Sequence, residues 1–200
     1  MKNLFILIVF IMGSLNTIAS EGYKVGAVAK DFSLKNVDGK MISLNSIPNA
    51  KGIIVVFTCN HCPYSKAYED RLIDLHNKYA AQGYPVIAIS SNDPTRFPAD
   101  SYENMIVRAE EKKFPFLYAF DETQEIARTY GATRTPHIFL LDKQGDQFRV
   151  AYIGAIDDNV QYESDVKAKY LEDAIEALKS GKKPDPDFTK AIGCTIKWKK

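Results

Sequence analysis

Short apolar runs alternate with helical periods along most of the chain. Residues 52–57 contain Ile53, Ile54, Val55 and Val56 without alternation, the pattern of a strand covered on both faces, so they are read as the central strand of a sheet. Before it, two short runs flank Asp38-Gly39, a strong signal for a hairpin. After it, Tyr68, Leu72, Leu75 and Tyr79 recur at three- and four-residue spacing. They predict a helix over 64–81, with Pro63 in its first turn and Gly83 at its end. A second buried strand is predicted over 84–91, then a loop over 92–100 because of Pro94 and Pro98, then a helix capped by Ser101 and running to Lys113. A short strand over 116–120 and a helix over 122–130, stopped by Gly131, follow. Pro136 opens a strand over 137–141, which a turn over 142–145 joins to a partner over 148–153. Val166, Tyr170, Ala174 and Leu178 share one face of a last helix over 162–179.

Strands and helices in this order describe one α/β domain, a central mixed sheet flanked by helices, with an N-terminal hairpin. The domain is assigned to 21–180, and 181–200, carrying Pro184 and Pro186, is a C-terminal tail packing on it. Leu, Ile, Val and Phe make up just over a quarter of the 200 residues, enough for a folded core.

Residues 1–20 have a different character. Lys2 precedes an unbroken apolar run over 4–12, followed by small and polar residues to Ser20, the order of a secretory signal. That run is too short for a transmembrane helix, which needs roughly 20 apolar residues. The expectation is a signal cleaved near Ala19 or Ser20, a periplasmic or extracellular mature protein, and no membrane contact beyond the signal. No cysteine precedes Cys59, which argues against lipid attachment at the new terminus. Formal charge is +1 for the whole chain, and cleavage would remove Lys2 and no acid. Without a basic stripe there is little counterion release to drive nucleic-acid binding, and that class of partner is set aside.

Export makes the three cysteines the chemical question, because disulfides persist outside the cytosol. Cys59 and Cys62 form a Cys-x-x-Cys pair between the buried strand and the helix, so the first cysteine lies beyond a helix N-terminus, where amides and the dipole favour a thiolate. A bridge between them closes a loop too short to stabilise the fold greatly, which points to redox chemistry. Zinc would need two more ligands. The histidines are His61, His76 and His137, with no second cysteine pair, so neither a metal nor a cofactor is expected.

The motifs Phe57-Thr58-Cys59-Asn60-His61-Cys62-Pro63, Thr135-Pro136, Tyr152-Ile153-Gly154, the Asp38-Gly39 hairpin and residues 26–32 resemble the thioredoxin-like redoxin family, the branch with the alkyl hydroperoxide reductase and thiol-specific antioxidant domain. The resemblance implies a thioredoxin-like fold and a thiol-disulfide oxidoreductase acting on protein dithiols and disulfides, with an upstream redox partner. It implies that Cys59 attacks and that Cys62 resolves the mixed disulfide; His61, beside the thiolate, should favour the reduced form by its charge when protonated or by a hydrogen bond. It also implies that Thr135-Pro136 is a cis pair facing the dithiol, with Thr135, Pro136, Thr58 and Asn60 around the substrate. Thr58 stands where thioredoxins carry tryptophan, and residues 53–57 lack the buried acid of their central strand, leaving the proton acceptor for Cys62 unassigned.

Two alternatives compete. A thiol peroxidase would use Cys59 with Cys62 or Cys194 resolving, but the threonine and proline that peroxiredoxins place three and seven residues earlier are Val56 and Gly52 here. A copper carrier would hold a soft ion with Cys59, Cys62 and either His61 or His137, although copper-assembly relatives space their cysteines differently. In the tail, alternation puts Cys194, Ile196 and Trp198 on one face, which reads as docking on the domain with Cys194 as a small packed hydrophobe.

Overall fold

The structure is a computed structural model that describes residues 22–200; the expected signal over 1–20 lies outside the described residues. A seven-stranded mixed sheet forms the centre, in the order β2-β1-β5-β4-β3-β7-β8. The N-terminal hairpin is β1 (Leu34–Asn36) and β2 (Met41–Ile42), turned at Gly39, whose φ of +83° suits glycine. The apolar run becomes β3 (Gly52–Thr58), buried at every position, parallel to β4 (Val86–Ser90) and antiparallel to β7 (His137–Gln144). β5 (Leu117–Phe120) runs parallel to β4, and β8 (Gln147–Gly154) closes the far edge against β7.

Alternate residues of the strands feed two apolar layers. Ile54 and Val56 face α1 (Pro63–Tyr79), α2 (Tyr102–Lys112) and α4 (Tyr170–Lys179), while Ile53, Val55 and Phe57 face α3 (Glu125–Tyr130) and the tail. Tyr68, Leu72, Leu75 and Tyr79 form the buried stripe of α1 that their spacing predicts. This is the thioredoxin-like architecture that the motifs imply. No helix among the described residues is long and apolar enough to cross a membrane.

Three boundaries differ from the sequence reading, each for a local reason. The helix expected over 162–179 starts at Tyr170, because Asn159 Oδ1 accepts the amides of Gln161 and Tyr162, and Asp158 Oδ1 that of Lys167. Side-chain acceptors thereby replace the helical partners of those amides. The helix expected from 122 starts at Glu125, where Asp121 accepts the amide of Ala127 at 2.9 Å. The turn expected over 142–145 tightens to Gly145 and Asp146, since Gln144 pairs with Gln147 and Gly145 takes a φ of +61°.

Candidate active site

β3 lies inside the sheet and delivers its last residue, Thr58, to the N-terminus of α1. Cys62 is the cap residue of α1 in extended conformation, its carbonyl accepting the Lys66 amide at 3.0 Å, and Pro63 occupies the first turn. Cys59 is 2% exposed and Cys62 fully buried. Facing them, the Thr135-Pro136 bond is cis, as the motif implies. Thr135 touches both sulfurs: its Oγ1 lies 3.4 Å from Cys59 Sγ and its carbonyl oxygen 3.2 Å from Cys62 Sγ. The Ser65 hydroxyl lies 4.0 Å from Cys59 Sγ.

The loop over 92–100 contributes a residue that spacing did not reveal. A turn of 3-10 helix, Pro98–Asp100, carries the fully buried Asp100 under residues 60 and 61. Asp100 Oδ1 accepts the amides of Asn60 at 2.8 Å and His61 at 3.1 Å; Oδ2 accepts Asn92 Nδ2 at 2.9 Å and pairs with His61 Nδ1. The His61 ring stacks on Phe97, with centroids 4.7 Å apart. Asp100 is thus a buried acid brought to the loop between the cysteines from forty residues beyond Asn60. Its only local signal is an acid at the edge of a proline-rich loop, just before the helix cap Ser101.

The other expected site residues fall as follows. Thr58 closes β3 beside the dithiol. Asn60 turns inward, donating to the Ala99 carbonyl and accepting from the Tyr118 hydroxyl, both at 2.9 Å, so its side chain braces the loop. His137 sits across from Phe57, and its Nδ1 accepts the Thr133 amide at 3.3 Å. Burial holds its imidazole down to about 4. The potential metal donors gathered among the described residues are Cys59, His61 and Asp100, within 4.8 Å of one another, so neither Cys62 nor His137 joins the set expected of a copper carrier.

The tail reaches the same place from the opposite side. β6 (Arg134–Thr135) pairs antiparallel with β9 (Cys194–Thr195), putting Cys194 opposite Thr135. Ile196 is buried and Trp198 packs on the core under Arg128, as alternation predicts. Cys194 is on that inward face, half-buried, and it meets Cys62, with the two sulfurs 2.6 Å apart. The edge of Thr135, which the resemblance implies for an extended substrate, is thus occupied by the chain's own tail.

These contacts order the protons. The interaction with Cys62, burial and the nearby Asp100 carboxylate raise the Cys59 thiol far above its usual range. The interaction with Cys59, joined by the Cys194 thiol and the amides of Ser65 and Cys194, pulls Cys62 down to about 4 despite its burial. Burial, with the adjacent Cys62, raises Cys194 to about 11. The Cys59 and Cys62 sulfurs thus titrate together, and the pair shares one proton when singly ionised.

The sequence profile of the AhpC/TSA family matches residues 25–147. Among curated proteins, the chain is 26% identical over 147 residues to thiol-disulfide oxidoreductase ResA of Bacillus thuringiensis subsp. konkukian, covering 70% of this chain and 80% of that one. Among solved structures, it superposes on an uncharacterized conserved protein from Geobacillus kaustophilus with a TM-score of 0.80 and 38% identity, over 90% of this chain and 95% of that one. A thiol:disulfide interchange protein of the thioredoxin family from Chlorobium tepidum TLS superposes with a TM-score of 0.54 at 21% identity, over 66% and 87% of the two chains, a likeness of fold.

Proposed function

The chain belongs to the AhpC/TSA family, and from that membership we propose that it is a thiol-disulfide oxidoreductase whose working dithiol is Cys59 and Cys62. The observation that carries this reading is the convergence of both sulfurs on one residue, Thr135 of the cis pair, its hydroxyl to Cys59 and its carbonyl to Cys62. Asp100 and His61 hold the loop between the cysteines.

In the reducing direction, the singly ionised dithiol attacks one sulfur of a substrate disulfide through Cys59 Sγ, with the shared proton on Cys62. The substrate S–S bond breaks, a Cys59 mixed disulfide forms, and the first substrate sulfur leaves as a thiolate. Cys62 releases the proton to that leaving sulfur and attacks Cys59 Sγ. The Cys59–Cys62 disulfide forms, the second substrate sulfur leaves, and the two electrons of the dithiol have reached the substrate. An upstream dithiol partner restores the reduced pair by the reverse exchange. Thr58 and Pro136 border the substrate, while Asn60 acts by shaping the loop. The peroxidase alternative is not favoured: the position three before Cys59 is Val56, an apolar residue fully buried in β3.

The protein acts outside the cytosol, with the signal over 1–20 removed near Ala19 or Ser20; the apolar run behind Lys2 supports this. N-terminal sequencing of the secreted chain checks the cleavage point, and a mature protein retaining Lys2 contradicts it. The dithiol assignment is tested with Cys62→Ser, which should accumulate a Cys59 mixed disulfide with glutathione. Accumulation on Cys62 in the Cys59→Ser variant, with none on Cys59, reverses the roles.

A further inference from the structure

We propose that Cys194 is a third redox-active thiol, which takes the disulfide from Cys59–Cys62 to Cys62–Cys194 and so connects the buried pair with the surface. This rests on the dithiol reading above and adds a residue and a step to it.

Four observations converge. The first is contact: Cys194 Sγ lies 2.6 Å from Cys62 Sγ across a sequence separation of 132 residues. The second is the device that delivers it. β9 lies on β6 with Cys194 opposite Thr135, the residue that touches both other cysteines. Gly193 fits flat against the cis pair, where an added Cβ would lie 2.2 Å from the Thr135 carbonyl oxygen and 3.2 Å from Pro136 N, so glycine is what permits the approach.

The third is anchorage on both sides of Cys194. Behind it, Thr189 Oγ1 bonds the Tyr152 hydroxyl at 2.5 Å and accepts the Ala155 amide at 3.0 Å. Ahead of it, the Lys197 amide donates to Asn92 Oδ1 at 2.8 Å, and the Lys197 carbonyl accepts the Asp93 amide at 2.8 Å. A loosely attached tail needs none of these bonds, whereas a thiol that must meet another within disulfide range needs its backbone held on both sides. The fourth is exposure: Cys59 and Cys62 are nearly or fully buried, while Cys194 is partly exposed.

The step is an exchange without net oxidation. Starting from the Cys59–Cys62 disulfide, the Cys194 thiolate attacks Cys62 Sγ; the Cys62–Cys194 bond forms and the Cys59–Cys62 bond breaks. The electron pair leaves on Cys59, which takes up the proton that Cys194 gave up. Burial and the adjacent Cys62 oppose ionisation of Cys194 in the reduced protein, and the Cys62 part of that opposition is absent once Cys62 is in a disulfide. Cys59 is then free while the oxidising equivalent sits at a partly exposed sulfur, where an incoming dithiol can attack it.

The test uses the full chain equilibrated in glutathione buffers of graded ratio, quenched in acid, alkylated and mapped for linked peptides. Both Cys59–Cys62 and Cys62–Cys194 linkages should appear, in a proportion independent of the buffer ratio because their interconversion consumes no oxidant. Cys59→Ser should yield Cys62–Cys194. Gly193→Ala should lower the Cys62–Cys194 share at least about tenfold while Cys59–Cys62 persists, because disulfide geometry tolerates little displacement. Wild-type protein showing Cys59–Cys62 alone overturns the proposal, even where the variant forms Cys62–Cys194, since exchange in the intact protein is the claim. If no linkage to Cys62 forms at any ratio, the dithiol reading fails as well, and that result is distinct from the first.

Discussion

The two flanks of the dithiol are built differently. On the Cys59 flank, Asp100 is fully buried and surrounded by donors from Asn60, His61 and Asn92, so the loop between the cysteines is held by a closed polar network. On the Cys62 flank the partner is a two-residue strand of the tail, held by backbone pairing, by Ile196 and Trp198, and by hydrogen bonds of Asn92, Asp93 and Gln124 with residues 197–199. The first can be removed only by leaving buried donors without acceptors, which is costly. The second is joined largely through backbone groups that water can satisfy on opening, with Asn92, Gln124 and one buried aliphatic losing their partners as well. One flank fixes geometry, and the other is built to exchange.

Turnover is the coarsest test of this contrast and should show the largest effect. Cys62→Ser should lower insulin-disulfide reduction by about 100-fold or more, since the mixed disulfide then has no internal resolving thiol. Residual turnover above a tenth of wild type would mean that Cys194 can resolve Cys59 directly, which erases the division between the flanks.

Next is Asp100→Ala, which removes the acid from the closed network. A loss of about 3 kcal/mol in urea unfolding is expected, the scale for removing one partner of a buried pair. A loss below about 1 kcal/mol would place the network among interactions of ordinary surface strength.

His137 tests the tail flank through pH, because it accepts the amide of Thr133, whose carbonyl accepts the Ile196 amide. Its folded pKa of about 4 lies below the unfolded reference of 6.5, so the unfolded chain takes the proton first as pH falls. The stabilising contribution of the neutral ring is complete above 6.5 and is lost on acidification towards 4. Between pH 6.5 and 5 this amounts to about 2 kcal/mol, read as the difference between wild type and His137→Gln in unfolding curves. Parallel curves for the two proteins would show that His137 titrates normally.

The smallest effect belongs to Ile196→Val, which removes one buried methylene, at about 1 kcal/mol. Hydrogen exchange at the Ile196 and Lys197 amides should quicken about fivefold, with β3 unaffected, because the opening is local to the tail. Equal acceleration in β3 would make the tail part of the global folding unit.

What the sequence determined by itself is the part governed by neighbours along the chain. Apolar runs at 53–57 and 86–89 read as strands from their length and β-branched content, the α1 stripe follows from its spacing, and Cys59 and Cys62 are joined by the helix start that Pro63 marks. The parity of Ile196 and Trp198 likewise predicts which face of the tail turns inward. Tertiary structure alone decided which groups meet across the chain. Asp100 reads as a loop acid until the 92–100 segment folds under His61, and Cys194 as a packed thiol until β9 pairs with β6. Such partners leave no periodic trace, because a hydrogen bond or sulfur contact spanning 39 or 132 residues depends on where two loops arrive in space. Hydrophobic patterning specifies faces and layers, whereas the pairing of isolated polar groups depends on the register and path of the whole chain.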